Sequence, residues 1–210
     1  LLEDAVPESM PQFNLDGWVF QGDVHALGVV DAIMYPGTQS FMRWEYPSRL
    51  ARGIQAQALD VAKRFLNAIG FSNGLFNMEF FYDAATGRLT VIEFNPRLAS
   101  QFADLYIRVE GVDPHAFSLA IALGHDPRQL PRTAPTAKVA TSFVYRSFSA
   151  AETPPAPSPA QVAAMAKAFP DALQFSFPKH GHSLDRDFKW LGSHRYGIVH
   201  LGAQDEGALR

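Results

Sequence analysis

The spacing of apolar positions divides the chain into strands and helices. Residues 13–20 and 24–34 are mostly apolar, and the polar turn Gln21-Gly22-Asp23 separates them, which predicts a pair of strands. A helix is predicted from about residue 50 to 69, with Ser48 capping its start and Gly70 ending it. Its apolar positions follow the i, i+3, i+4 rule: 50, 54, 58, 61, 62, 65, 66 and 69.

The remainder of the chain alternates between the two kinds of element. The predicted strands are 74–82, 88–95, 137–147, 172–177 and 195–201, and the predicted helices are 102–109, 114–123 and 160–168. Strands interleaved with helices indicate an α/β or α+β fold. The proline-rich run at 153–159 cannot pair in the interior of a sheet, so we expect an exposed connector there.

Composition narrows the class of protein. The 210 residues are 47% hydrophobic and 12% aromatic, enough for a sizeable core in one large domain or two small ones. A formal net charge of −3 argues against nucleic acid as a partner, because a binder of phosphates needs a basic surface. No apolar run approaches the ~20 residues of a membrane-spanning helix.

The absence of cysteine excludes disulfides, thiol catalysis and thiolate metal sites. The chain opens without a basic and then apolar leader, so we expect a cytoplasmic location.

The clearest candidate chemistry lies in residues 74–98, GLFNMEFFYDAATGRLTVIEFNPRL. We expect a hairpin closed by a three-residue loop at 85–87, with Gly87 in the left-handed conformation that such loops favour. Glu79 then faces Glu93, Asn77 faces Asn95, and Phe80 faces Ile92. Two carboxylates placed directly opposite each other repel, so folding alone does not favour this pairing.

A divalent cation would turn this repulsion into a binding site. Carboxylate and amide oxygens on a rigid hairpin suit Mg²⁺, whose remaining ligands are commonly phosphates and water. Asn95 and Arg97 lie two and four residues beyond Glu93, so an extended chain projects all three side chains to one side. Arg97 offers a fork of donors to a phosphate or carboxylate.

Two other interpretations of this hairpin face remain open. Its charges could simply be solvated, or the carboxylate pair could perform general acid/base catalysis as in glycosidases. We favour a metal that binds phosphate, because an asparagine and an arginine accompany the pair.

Residues 78–80 and 91–98, Met-Glu-Phe and Val-Ile-Glu-Phe-Asn-Pro-Arg-Leu, resemble the metal-binding hairpin of the ATP-grasp superfamily. That superfamily includes biotin carboxylases, the large subunits of carbamoyl-phosphate synthases and carboxylate–amine ligases, and the amino-acid ligase type is the most similar. The resemblance covers about residues 1–125. It implies an α+β fold: the C-terminal part of an ATP-grasp domain at 1–131, an antiparallel sheet with flanking helices, and a small α/β C-terminal domain at 132–210.

The resemblance also implies roles for individual residues. Glu79, Glu93 and Asn95 would hold Mg²⁺ (or Mn²⁺) between the phosphates of ATP. Arg97 would hold the acyl phosphate or the substrate carboxylate. The implied reaction is attack of a carboxylate oxygen on the γ-phosphate of ATP, followed by displacement of the phosphate by an amine.

Two further residues have implied places near the nucleotide. Glu3 falls near the hinge whose backbone contacts adenine, and Gln12 falls near the position that contacts ribose.

The resemblance leaves part of the family's nucleotide site without a counterpart. The two nucleotide-binding lysines and the flexible glycine-rich loop of the family are not found in these 210 residues. We therefore expect a missing N-terminal portion or a partner subunit, with a homodimer also possible, and poor turnover by this chain alone. Three alternatives stay open: an enzyme acting on bicarbonate, a non-catalytic nucleotide-binding module, and one half of a split ligase.

Overall fold

A computed structural model describes residues 10–149, 154–177 and 182–209 of the chain. Within these residues the strands are β1 (Gln12–Phe20), β2 (Asp23–Met34), β3 (Phe41–Tyr46), β4 (Gly74–Asp83), β5 (Arg88–Asn95), β6 (Val139–Ser147), β7 (Leu173–Ser176) and β8 (His194–Ala203). The helices are α1 (Arg52–Ala68), α2 (Ala103–Glu110), α3 (Pro114–Ala122), α4 (Pro159–Ala168) and α5 (His182–Leu191). Short 3-10 turns cover Ser100–Phe102, Pro127–Gln129 and Glu206–Leu209.

The strands form one antiparallel sheet in the order β5-β4-β1-β2-β3-β6-β8-β7. This architecture confirms the α+β class with an antiparallel sheet and flanking helices. Strands β6 and β8 continue the same sheet through pairing of β6 with β3. The domain boundary between residues 131 and 132 stays a prediction.

One face of the sheet packs against α1. Because side chains alternate along a strand, every second residue of β1 and β4 points to this face. The buried residues there are Phe13, Leu15, Val19, Phe76, Met78 and Phe80 of the strands and Ala58, Ala62 and Leu66 of α1. This core holds β1 and β4 rigidly in register, and the proposed chemistry lies on their other face.

The opposite face packs against α2 and α3. Tyr106 of α2 contacts Tyr46 of β3, with ring centroids 4.8 Å apart, and Trp44 packs on Phe102 at 5.6 Å. Toward the end of β1, Trp18 makes an edge contact with Phe117 of α3 at 5.0 Å. The helices therefore cover part of this face and leave the ends of β4 and β5 open.

The helix predicted after residue 50 forms, but its cap differs from the prediction. The helix α1 begins at Arg52 with Ala51 at the N-cap and no side-chain capping hydrogen bond. Ser48 is not the cap, because the helix begins only at Arg52; the Ser48 hydroxyl donates to the carboxylate of Asp31 on β2 and accepts from the Leu50 N–H at 3.1 Å. Gly70 has φ 70°, so the glycine that ends the helix adopts the left-handed conformation expected of it.

The hairpin of β4 and β5 keeps the predicted pairing at its open end. Asn77 pairs with Asn95, and Glu79 pairs with Glu93. Near the turn the prediction is wrong by one residue: Phe80 pairs with Val91, and Ile92 is the extra residue of a β-bulge.

The loop of this hairpin has four residues, 84–87, instead of three, because Asp83 pairs with Arg88. The carboxylate of Asp83 accepts hydrogen bonds from the Ala85 N–H at 2.9 Å and the Thr86 hydroxyl at 2.7 Å, which stabilises the longer turn. Gly87 has φ 69°, as predicted. The extra loop residue and the bulge offset each other, so the glutamates still meet.

The C-terminal elements largely follow the predicted pattern. Residues 154–158 of the predicted connector have no regular structure, and Ser158 then caps α4. Its hydroxyl accepts from the Gln161 N–H at 3.3 Å, and the Gln161 side chain accepts from the Ser158 N–H at 2.9 Å. The strand β3 and the helix α5 were not predicted from the sequence.

No helix within the described ranges is long and apolar enough to cross a membrane.

Candidate active site

Two glutamates lie side by side at the open end of the sheet. Glu79 is half-buried on β4, and its cross-strand partner Glu93 is exposed on the edge strand β5. Burial raises the pKa of Glu79, and the negative charge of Glu93 raises it further. The Glu79 carboxyl is therefore harder to ionise than an ordinary glutamate, and a cation bound beside it would offset this cost.

Asn95 and Arg97 complete the row that the sequence predicts. The Asn95 side-chain amide donates to Glu93 Oε2 at 3.1 Å, and the Arg97 guanidinium donates to Asn95 Oδ1 at 3.2 Å. Arg97 also donates to the Leu98 carbonyl at 3.3 Å and is exposed. The structure thus brings Glu79, Glu93, Asn95 and Arg97 together on one face.

The two residues predicted near the nucleotide have different outcomes. Gln12 lies beside the glutamates, with its side-chain amide donating to Glu79 Oε2 at 3.2 Å. Its contact with ribose stays a prediction. Glu3 lies outside the described residues, and its place near adenine stays a prediction too.

Two asparagines belong to this site that the sequence analysis did not assign to it. Asn14 on β1 pairs with Glu79 across the strands, and its hydrogen bond to the Glu79 side chain opposes the rise in the pKa of that carboxyl. The amide of Asn14 also donates to Asn77 Oδ1 at 3.4 Å. Both asparagines are buried, and Asn14 Oδ1 has no hydrogen-bond partner among the described residues.

A third missed residue, Asp16, lies one step deeper on β1. Its side chain is only 2% exposed. Asn77 donates to Asp16 Oδ1 at 2.7 Å, and the Tyr106 hydroxyl donates to Asp16 Oδ2 at 2.7 Å. Burial raises the pKa of Asp16 to about 7, and the charge of Glu79 adds to the rise, whereas the two hydrogen bonds oppose it.

The sequence contains a pattern from which residues of this site could have been assigned. Residues 12, 14 and 16 are polar and alternate with apolar residues along a buried strand. Side chains two apart share a face, so this alternation places all three on the face opposite the apolar core. Pairing of β1 with β4 then sets them beside Asn77 and Glu79.

The donor set of the site fits magnesium. Two carboxylates and the Asn95 amide oxygen are hard oxygen ligands, which Mg²⁺ prefers. Among the described residues, no three His, Cys, Asp or Glu side chains form a metal-binding cluster. Mg²⁺ bound through two carboxylates commonly keeps positions for phosphate oxygens and water.

Comparison with solved structures shows which fold this is. N5-carboxyaminoimidazole ribonucleotide synthetase from Thermus thermophilus superimposes with a TM-score of 0.65 at 18% identity, over 99% of this chain and 49% of that chain. L-amino acid ligase from Bacillus licheniformis gives a TM-score of 0.67 at 15% identity, over 95% and 48%. Biotin carboxylase from Campylobacter jejuni gives 0.62 at 17% identity, over 96% and 43%. The chain has the ATP-grasp fold.

Sequence comparison adds a partial match within the ATP-grasp ligases. The carbamoyl phosphate synthase large chain of Pseudothermotoga lettingae is 31% identical over 88 residues, which is 41% of this chain and 8% of that protein. The corresponding protein of Thermotoga neapolitana is 31% identical over 86 residues. No protein-family model matches the chain. The chain spans about half the length of the ATP-grasp structures above, and its match covers less than a tenth of the curated relatives.

Proposed function

We propose that the chain forms the metal-binding part of an ATP-dependent ligase, which activates a carboxylate as an acyl phosphate for attack by an amine. The observation that carries this proposal is the Glu79–Glu93 pair on the open face of a rigid hairpin, with Asn95 and Arg97 in the same row. Like charges in register are unfavourable unless a cation binds between them. The ATP-grasp fold supports ATP as the ligand that shares this cation.

The residues divide into two roles in this proposal. Glu79, Glu93 and Asn95 hold Mg²⁺ or Mn²⁺, which when bound neutralises charge on the phosphates of ATP. Arg97 is exposed next to this set, and its guanidinium binds the transferred phosphoryl group or the substrate carboxylate through two parallel hydrogen bonds. Gln12 fixes the Glu79 carboxylate through its 3.2 Å hydrogen bond.

The proposed reaction has two steps. A carboxylate oxygen attacks the γ-phosphorus of ATP in line with the bond to ADP, which breaks. The amine nitrogen then attacks the carbonyl carbon of the acyl phosphate, and inorganic phosphate leaves. Protein catalysis of such steps is mainly positioning and charge neutralisation. Arg97 is placed to supply positive charge directly, and the acidic pair would supply it through the cation that it would hold.

Replacing Glu93 tests the metal site. We expect Glu93→Gln in the protein of natural full length to lose Mg²⁺-dependent ATP binding, because the amide keeps the shape of the side chain and removes its charge. Isothermal titration with ATP and varied Mg²⁺ measures this loss. Glu206→Gln is the matched control, since Glu206 is an exposed glutamate outside the site. Unchanged Mg²⁺-dependent affinity in Glu93→Gln would refute the assignment.

Bicarbonate is the second candidate for the carboxylate substrate. The partial match to carbamoyl phosphate synthase and the structural similarity to biotin carboxylase favour it. ADP release measured with bicarbonate alone, and separately with a pool of amino acids, distinguishes the two substrates. Stimulation by amino acids supports the amino-acid ligase type, whereas stimulation by bicarbonate without them supports the second candidate.

The rest of the nucleotide site belongs, in this proposal, to a preceding portion of the protein or to a partner subunit. The structural relatives are about twice as long as this chain, which supports that view. We expect the 210-residue chain alone to bind ATP weakly and to release ADP slowly. Ordinary ligase turnover by the isolated chain would contradict this expectation. ATP binding by the full-length protein without ADP release would leave a non-catalytic nucleotide-binding module as the better interpretation.

A further inference from the structure

We propose that Arg97 and the cation compete for the Asn95 amide oxygen, so that binding of the cation releases Arg97 from Asn95 and frees it for the substrate. This inference rests on the proposed function, because it assumes a cation held by Glu79, Glu93 and Asn95. It adds an order of binding: the cation comes first, and the phosphoryl or carboxylate group at Arg97 comes second.

Both ends of the Asn95 side-chain amide are engaged in the structure. Its NH₂ group donates to Glu93 Oε2 at 3.1 Å, and its oxygen accepts from the Arg97 guanidinium at 3.2 Å. A hard cation binds an amide through its oxygen and not through its NH₂ group. Arg97 therefore holds the one atom that Asn95 contributes to the proposed metal site.

A cation bound to this oxygen would lie close to the guanidinium group. Mg²⁺ binds oxygen at about 2.1 Å, so the cation and the Arg97 nitrogen that contacts the same oxygen would be no more than about 5 Å apart. Positive charges at this separation repel each other. The contact between Arg97 and Asn95 is therefore incompatible with a doubly charged ion on the Asn95 oxygen.

The contacts of Arg97 are weak enough to be given up. Both hydrogen bonds that the structure describes for its side chain go to neutral oxygens, the Asn95 amide at 3.2 Å and the Leu98 carbonyl at 3.3 Å. These distances exceed the usual value for N–H···O bonds. The side chain is exposed and free to turn. A phosphate or carboxylate group offers Arg97 two parallel charged hydrogen bonds, which are stronger than the contacts that it loses.

Arg97 also compensates part of the charge of the glutamate pair. Burial and the charge of Glu93 raise the pKa of Glu79, and the positive charge of Arg97 opposes this rise. A cation between the glutamates takes over this compensation. Arg97 can then leave Asn95 without exposing Glu79 and Glu93 to their full mutual repulsion, whereas its departure without a cation is unfavourable.

The test compares Mn²⁺ binding by the full-length protein and by its Arg97→Met variant, from the electron paramagnetic resonance of free Mn²⁺. ADP is present, because it lacks the phosphoryl group that Arg97 binds in the proposed reaction. Methionine keeps an unbranched stem and cannot donate to Asn95. We expect Arg97→Met to bind Mn²⁺ about tenfold more tightly, as removal of one competing hydrogen bond from a charged group predicts.

A second pair of variants separates competition for the oxygen from repulsion through space. Asn95→Ala lacks the contested oxygen, so Arg97→Met in that background has no oxygen to free. We expect the gain in Mn²⁺ affinity to shrink there to less than about threefold. The titrations extend to millimolar Mn²⁺, so that a weakened site is still measured. Arg88→Met, which removes an exposed arginine at the turn end of β5, is the matched control and should leave the affinity unchanged.

The outcomes separate this inference from the proposed function. Failure of the original protein to bind Mn²⁺ with ADP overturns the proposed function, and the inference with it. Normal binding by the original protein, with unchanged or weaker binding by Arg97→Met, overturns the inference alone. Equal gains with and without Asn95 also overturn it, because repulsion through space then explains them. Thermal unfolding of each variant verifies that it is folded at the temperature of the titration.

Discussion

At the scale of single residues, the molecule keeps a carboxyl group buried beneath its proposed metal site. Burial favours the neutral form of an acid, so the pKa of Asp16 is raised to about 7 in the folded protein, against an ordinary value of 3.8. The folded state then binds more protons than the unfolded state between these two values. The contribution of Asp16 to the free energy of unfolding therefore falls as pH rises from about 4 to 7, and it stays low above pH 7.

Asp16→Asn removes the cost of ionising a buried carboxyl group. We therefore expect the variant to become more stable relative to the original protein as pH rises. The difference should be small near pH 4 and reach up to roughly 4 kcal/mol above pH 7. Urea unfolding of both proteins at several pH values measures it. A difference that shrinks with rising pH would contradict the prediction.

Arg97 offers a second prediction at this scale. In the proposed reaction, Arg97→Lys keeps the charge and loses one of two parallel hydrogen bonds to the phosphoryl or carboxylate group. We expect kcat/KM for ADP formation to fall at least about tenfold. Arg88→Lys, at the turn end of β5, is the control and should leave the rate unchanged. Equal rates in both variants would remove Arg97 from the reaction.

At the scale of elements, the sequence predicts the hairpin of the site well, because three signals agree there. Alternation of residues gives the faces of the strands, Gly87 marks the turn, and the glutamates fall opposite each other. The bulge at Ile92 was not predicted, since it depends on how Asp83 hydrogen bonds within the turn. Ser48 has the character of a helix cap, but the helix begins later, at Arg52, and the Ser48 hydroxyl instead joins Asp31 to the Leu50 N–H.

The missed elements have a physical explanation as well. The strand β3 has six residues, and its buried Trp44 and Tyr46 alternate with charged residues too briefly for the pattern to stand out. The cluster of Asp16, Asn77 and Tyr106 joins three elements distant in sequence, so only the sheet order and the packing of α2 bring them together.

Two glycines give a paired prediction, one directly after the end of α2 and one in the first turn of α1. Gly111 ends α2 with φ 67°, and a Cβ there would lie 1.8 Å from the Thr133 carbonyl oxygen. We expect Gly111→Ala to destabilise the protein by more than about 2 kcal/mol, because the backbone must shift. Gly53 lies in α1 with open space around it, so Gly53→Ala should stabilise the protein by up to about 1 kcal/mol. Thermal unfolding of both variants measures these effects. A loss of stability in Gly53→Ala would contradict the prediction for that position.

At the scale of the whole molecule, α2 connects distant strands of the sheet. Tyr106 binds Asp16 on β1, and on the other side Asp104 lies 3.5 Å from the imidazole of His200 on β8. Asp104 also accepts from Arg108 at 2.6 Å. Burial alone would raise the pKa of Asp104, but the hydrogen bonds from His200 and Arg108 outweigh it and lower that pKa.

Because the folded pKa of Asp104 lies below its ordinary value, its stabilising contribution is present above about pH 4 and is lost as pH falls further. We expect Asp104→Asn to cost about 1–3 kcal/mol at pH 7, since it weakens a partly buried charged network. The difference from the original protein should shrink below pH 4. Asp126→Asn, which alters an ion pair with the exposed Arg128, is the control and should change stability little. Urea unfolding at pH 7 and pH 3 compares them, and equal costs at both pH values would exclude a role for the Asp104 charge.

The hairpin of β4 and β5 has a consequence for the evolution of such sites. Its loop is one residue longer than the predicted one, and the bulge absorbs the extra residue before the glutamates meet. Natural selection on the pair would thus preserve which side chains oppose each other, while the boundary between turn and strand is free to shift. Homologous hairpins should accordingly differ by matched insertions and deletions, one in the turn and one in the strand, and an alignment that places a single gap there would misassign one of the two glutamates.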